Sequence, residues 1–203
     1  MARPKEFDES LALQQAMDTF WERGYDATAV RDLCDAMGLN AGSLYGAFGD
    51  KRALFLRALD NYIETESRQA AERITGAASG LLGIRAFFDH MIEQMHKGRR
   101  RWGCLVTNSI AELACSDPDV AARAKLQLKR LEGNFASALD RSRSAGEISP
   151  SIGAETAAFL VCVVQGLNIL AKTRPGRAAL HRVVDVALAN LESRAAPLEA
   201  IAS

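Results

Sequence analysis

Strict alternation of apolar and polar residues is almost absent from this 203-residue chain. Its apolar positions recur instead at helical spacing, with Gly or Pro at the breaks. A first helix is predicted over 8–23, with Leu13, Ala16, Met17 and Phe20 on one face and Gly24 as its stop. Thr28 is expected to cap a second helix over 29–37, with Val30, Leu33 and Cys34 inward, and Gly38 ends it. Asn40 caps a short third helix over 41–48. Gly49-Asp50 breaks the chain, and Asp50 caps a long fourth helix over 51–74. After the small-residue stretch 76–80, further helices are predicted over 81–97, 104–115, 118–144, 154–172 and 177–193. Asp117 followed by Pro118 is the clearest start among them, a capping side chain before a proline at the first helical position. The pattern therefore predicts an all-α fold of about nine helices.

Composition narrows the function classes. Hydrophobic residues make up 48% and charged residues 25%, the balance of a folded soluble protein. Twenty-five Lys and Arg balance twenty-five Asp and Glu, which excludes a globally basic nucleic-acid binder and leaves room for a local patch. Cys34, Cys104, Cys115 and Cys162 form no CxxC pair, and a core of this size needs no disulfides, so a reducing compartment is expected. The polar N-terminus shows no signal peptide. The longest apolar run, 157–164, is far shorter than the roughly 20 residues of a membrane span. A cytoplasmic location with no membrane partner follows as the expectation.

The segment 28–48 carries the most information. Two short helices flank Met37-Gly38-Leu39-Asn40, where Gly38 permits a left-handed turn and Leu33, Leu39 and Leu44 can pin the helices together. This is a helix-turn-helix pattern, whose second helix enters the DNA major groove by its N-terminal end; an ordinary helical hairpin would show the same turn. The residues around it go further. Phe20, Gly24-Tyr25, Thr28, Gly38-Leu39, Ser43-Leu44-Tyr45, Phe48, Lys51 and Leu54-Phe55 occur in order within 16–59. That stretch closely resembles the tetracycline-repressor (TetR) family of bacterial transcription regulators. Gly103-Cys104-Leu105 with Asn108 and Glu112-Leu113, then Gly146-Glu147-Ile148 and Gln165-Gly166-Leu167, look like one subgroup's regulatory part.

The resemblance implies a DNA-contacting set of Thr28, Arg31, Ala41, Gly42, Ser43, Tyr45 and Lys51. Within it Arg31 would reach a base edge, Ala41, Gly42 and Ser43 would face the bases, and Tyr45 and Lys51 would hold phosphates. Chemistry agrees: Arg grips guanine bidentately, while a Tyr hydroxyl and a Lys ammonium clamp the backbone. Two features depart from the family. Gly46 and Ala47 stand where many relatives carry larger aromatic or imidazole side chains. The segment 1–60 also holds seven Lys and Arg against ten Asp and Glu, so its positive surface must be focused on one face. Arg3 and Lys5 could add a basic arm.

The C-terminal half reads as a dimer seam and a pocket. Residues 157–164 are apolar all round, so one face covers the chain's own core and the other needs a partner. Leu180, Val183, Val184, Ala187, Leu188 and Leu191 form another stripe. Two such helices per subunit would make a four-helix seam across a two-fold axis. Phe88, Met91, Met95, Trp102, Cys104, Phe135 and Phe159 are candidates to enclose an apolar ligand pocket, although such residues are usually plain core. His90, Glu93 and His96 have poor metal-ligand spacing, and no metal or cofactor is expected. No GxSxG, Walker loop or HExxH occurs, so no enzyme is expected.

The expectation is a helix-turn-helix domain over 1–50 and a regulatory and dimerisation domain over 51–203. The protein would be a homodimeric repressor on a palindromic double-stranded operator, released by a small-molecule effector. An alternative mechanism uses Cys104 as an electrophile or redox sensor, since a helix start and the Arg99–Arg101 run would favour a thiolate. The alternative in class is a helical enzyme or interaction module without DNA binding.

Overall fold

The hydrophobic spacing is realised, in a computed structural model that describes residues 7–97 and 102–192, as nine α-helices and no strand among those residues. In chain order they are α1 (Glu9–Arg23), α2 (Val30–Met37), α3 (Ala41–Phe48), α4 (Lys51–Thr75), α5 (Gly80–Met95), α6 (Leu105–Leu113), α7 (Pro118–Ser144), α8 (Glu155–Ala171) and α9 (Arg177–Glu192). The expected arm residues Arg3 and Lys5, and the run Arg99–Arg101, lie outside the described residues. No helix among the described residues is long and apolar enough to cross a membrane.

The chain divides into two compact units, and the division does not follow the 1–50 and 51–203 boundary expected above. The first unit takes in residues 1–66 and 102–126, the second 67–101 and 127–203. The reason lies in the core. Leu105, Val106, Leu113, Val120 and Ala124 are buried in the same apolar cluster as Phe20, Leu33, Leu44 and Phe55. Thus α6 and the first turns of α7 complete the core on which α1 to α3 sit.

Aromatic rings dominate that core. Phe20 meets Phe55 edge-on at 5.1 Å between centroids, and Trp21 meets Tyr62 at 4.9 Å and Trp102 at 6.0 Å. The second unit is mostly aliphatic, with Phe88 stacked on Phe135 at 5.9 Å. Its α4–α5 turn packs backbone to backbone. A Cβ on Gly80 would lie 1.8 Å from the Ala138 carbonyl oxygen, and one on Gly83 would lie 2.3 Å from that of Ile74. Arg141 donates to the Ile74 and Thr75 carbonyls at 2.6 and 3.0 Å, satisfying the open C-terminal end of α4.

The two last helices leave apolar side chains uncovered. On α8, Phe159, Cys162, Ile169 and Leu170 are exposed and fall on one stripe. Leu160, Val161, Val164, Leu167 and Ala171 are buried on the other side. On α9, Val183 and Val186 are exposed in the same way.

The expected pocket residues do not form one group. Phe88, Met91, Met95 and Phe135 belong to the core of the second unit, and Trp102 and Cys104 pack against that of the first. Phe159 is 49% exposed on the outer stripe of α8, opposite that helix's buried side chains. A helix apolar all round gives no sequence signal for which side faces inward. Two of the three residues weighed for metal-ligand spacing have other neighbours. The His96 ring nitrogens each lie 3.0 Å from a carbonyl oxygen, of Ile92 and of Pro175, and Glu93 pairs with Lys97 and Arg177.

Candidate nucleic-acid interface

Two short helices and a left-handed glycine build the interface. Gly38 has φ 64° and ψ 29°, a conformation that L side chains rarely adopt, and its N–H bonds back to the Cys34 carbonyl. The chain therefore turns sharply out of α2 and enters α3 at Asn40, whose side chain accepts the Ser43 N–H at 2.8 Å. Leu33, Leu44 and Phe48 are buried beneath the two helices. This leaves Ala41, Gly42, Tyr45 and Gly46 exposed on the outer face of α3, with Ser43 half-buried.

Most of the expected contact residues stand on that surface. The Arg31 side chain is 91% exposed, and its only described ion pair, to Asp35 at 3.8 Å, is exposed too. Such a pair contributes about 0.3–0.5 kcal/mol, so the guanidinium can leave it readily. Tyr45 presents its ring at the surface. Lys51 opens α4 with its ammonium 4.3 Å from the centre of the Tyr25 ring. A cation at a helix N-terminus opposes the helix dipole, so the helix itself gains nothing from this charge.

Thr28 is a correction. It neither caps α2 nor reaches the surface: it is fully buried, its hydroxyl donates to the Gly24 carbonyl at 2.6 Å, and its N–H donates to that of Tyr25. The cap residue is Ala29, whose N–H donates to the Asp32 carboxylate at 2.8 Å. That hydrogen bond, aided by Arg23 at 2.7 Å, holds the Asp32 carboxyl below its ordinary range. Thr28 thus braces the loop before α2 from inside.

Polar ties from distant sequence fix the interface on its support. The Glu112 carboxylate accepts the N–H groups of Tyr25 at 3.0 Å and Asp26 at 2.8 Å, in the loop between α1 and α2. Gly24 makes room for it, because a Cβ there would meet the carboxylate at 3.0 Å. The Trp21 indole donates to the Gly103 carbonyl at 3.1 Å. Arg52, at the start of α4, grips Asp117 with two bonds of 2.8 and 2.9 Å and reaches Asp119 at 2.6 Å. The guanidinium holds the Asp117 carboxyl down at about 2, with the N–H groups of Val120 and Asp119 acting in the same direction. Sequence reasoning missed these roles. Glu112 stood in a recognised motif, but nothing in its neighbours says that it binds a loop 87 residues away.

Cys104 is the N-cap residue of α6 and is half-buried. The Tyr62 hydroxyl donates to its Sγ at 3.5 Å.

Comparison with known proteins matches the same regions. Residues 12–58 match the family described as bacterial regulatory proteins, tetR family, and residues 80–187 match the tetracyclin repressor-like C-terminal domain. The chain is 33% identical over 197 residues to the uncharacterized HTH-type transcriptional regulator YezE of Bacillus subtilis, covering 95% of this chain and all of that protein. It is 32% identical to the HTH-type transcriptional repressor ComR of Escherichia coli, over 91% of this chain and 88% of ComR. Among solved structures, a cysteine-substituted TetR family regulator CifR in complex with a 26-bp double-strand operator superimposes with a TM-score of 0.82. It is 30% identical, and the match covers 94% of this chain and all of that one.

Proposed function

This chain belongs to the tetR family of bacterial regulatory proteins, and from that premise we propose that it is a homodimeric repressor of a palindromic operator. The observation that carries the reading is the outward face of α3 beside the exposed Arg31, on a chain similar from end to end to a regulator solved on its operator. In this reading α3 enters the major groove. Arg31 reads a base edge, Ala41, Gly42 and Ser43 lie against the bases, and Tyr45 and Lys51 hold phosphates. With so few long side chains on α3, specificity rests on Arg31, Ser43, thymine methyl contacts and DNA shape.

The exposed apolar stripe of α8, with Val183 and Val186 of α9, supplies the seam for a second copy. An isologous dimer presents two identical reading heads, so its site is an inverted repeat. Residues 1–50 read DNA, and the remainder regulates and dimerises. The protein acts in the cytoplasm as a regulator and not as an enzyme. An effector releases the operator by binding one of two dimer states more tightly.

Selection from random double-stranded DNA followed by footprinting tests this. An inverted repeat protected on both arms is expected; a monomer on one asymmetric half-site overturns it.

A second reading of the release step rests on Cys104, the N-cap residue of α6, whose Sγ accepts the Tyr62 hydroxyl. Under it, Cys104→Ser keeps operator affinity and loses release by electrophiles. Equal release by wild type and variant removes this reading.

A further inference from the structure

Beyond the DNA-reading surface, the second unit holds a small cavity of about 220 Å³, lined by Met95, His96, Ala171, Arg174, Pro175 and Leu180. It lies where the end of α5 meets the turn between α8 and α9. A cavity of about 150 Å³ accommodates a benzene ring, so this one has room for a ring with a small polar group. Met95, Ala171 and Leu180 are buried and give it apolar walls.

Its polar side is cationic. Lys97, Lys172, Arg174 and Arg177 occur in the segments 93–97 and 171–177 that frame it, against the single carboxylate of Glu93. Glu93 is shared between Lys97 and Arg177. Each His96 ring nitrogen lies 3.0 Å from a carbonyl oxygen, of Ile92 and of Pro175, placing the ring between α5 and the turn. Of these four cations, Arg174 is the one that lines the cavity. No described hydrogen bond or ion pair engages its guanidinium, and its φ of 54° is the one positive value at a non-glycine among the described residues. An arginine in the left-handed region is held there against local preference, and such outliers collect at binding sites.

We propose that this cavity binds a small organic anion, an aromatic or short branched carboxylate. Its apolar body would lie against Met95, Ala171 and Leu180, and its carboxylate would pair with Arg174. A planar guanidinium suits a carboxylate bidentately, and the surrounding positive charge rejects cationic ligands of the same shape. The site is independent of the DNA reading and is tested without DNA.

Calorimetric titration of the full-length protein with sodium benzoate and with benzamide, its neutral isostere, is the test. Benzoate is expected to bind at least tenfold more tightly than benzamide. Arg174→Asn is the informative variant, because asparagine tolerates the left-handed conformation and the fold is kept. It should lose at least tenfold in benzoate affinity with its thermal midpoint unchanged, while Arg174→Lys retains part of the binding. No benzoate binding, equal binding of benzamide, or full benzoate affinity in Arg174→Asn would each overturn the proposal.

Discussion

The two compact units of this chain are held by different means. The first closes an aromatic core with charged ties at its surface: Arg52 to Asp117 and Asp119, Arg123 to Asp60, and Arg57 to Glu9. Glu112 adds a carboxylate on two backbone N–H groups. The second closes an aliphatic core by letting backbones touch at Gly80 and Gly83. Surface ion pairs occur in both units, Glu93 with Lys97 and Arg177 in the second among them, so the contrast lies in the cores: aromatic rings in one, close backbone approach in the other. The second unit should be the more sensitive to a single added methyl group, and the first to loss of a charged tie such as Arg52 to Asp117.

The largest expected effect tests volume. Gly80→Ala places a methyl carbon 1.8 Å from a backbone oxygen and 2.6 Å from Ser142 Oγ. Neither α5 nor α7 can yield cheaply, and a loss of about 3 kcal/mol or more is expected in urea denaturation. Gly46→Ala in α3, where a Cβ meets nothing within 4 Å, should instead gain roughly 0.5–1 kcal/mol. Equal stability of the two variants would erase the contrast.

Next come the DNA contacts. Arg31→Ala should cost roughly 1–3 kcal/mol on operator and relax preference at one base pair per half-site. Lys51→Ala should weaken all sequences alike and flatten the salt dependence. Fluorescence anisotropy on operator and random duplexes at several salt concentrations separates the two. If Arg31→Ala weakens both duplexes equally, Arg31 is not a base reader.

Glu112→Ala removes an acceptor from two N–H groups at an exposed site, for an expected loss of about 1 kcal/mol. Hydrogen exchange should accelerate at Tyr25 and Asp26, while amides of α8 and α9 keep their protection. Unchanged exchange at those two amides would show that the loop is held by its aromatic packing alone.

The smallest effect is in acid. Because Arg52 depresses the folded Asp117 carboxyl from 3.8 to about 2, its contribution to stability is complete above roughly pH 4 and is lost as the pH falls towards 2. Both tryptophans, Trp21 and Trp102, lie in the first unit, so their fluorescence reports acid unfolding there. Arg52→Gln should move that transition to higher pH. A coincident acid transition in wild type and variant would remove the clamp from the account.

What was legible in the sequence follows from how local each signal is. Asp117-Pro118 placed the start of α7 correctly because cap and proline are neighbours, and Gly38 placed the turn because its conformation is a property of one residue. Thr28 misled because a threonine before a helix has two uses, capping outward or bracing inward, and only the loop geometry chooses. Phe159 misled because α8 is apolar on every side. Trp102 and Cys104 were grouped with Phe88 because spacing along the chain does not say which core a side chain joins. The Glu112 tie and the Arg174 cavity were invisible for a related reason, since both arise only when the chain brings distant segments together.

The bare outer face of α3 bears on how such a regulator acquires new targets. A side chain added at Gly46 meets no atom of the fold, and one at Gly42 meets only Asn40 Oδ1 at 3.3 Å. Packing therefore does not select against a substitution at Gly46. If α3 enters the groove as proposed, one substitution there would alter the sequence bound without a compensating change in the fold. The Gly80 turn has no such freedom, so the two glycines should diverge at very different rates among descendants of this chain.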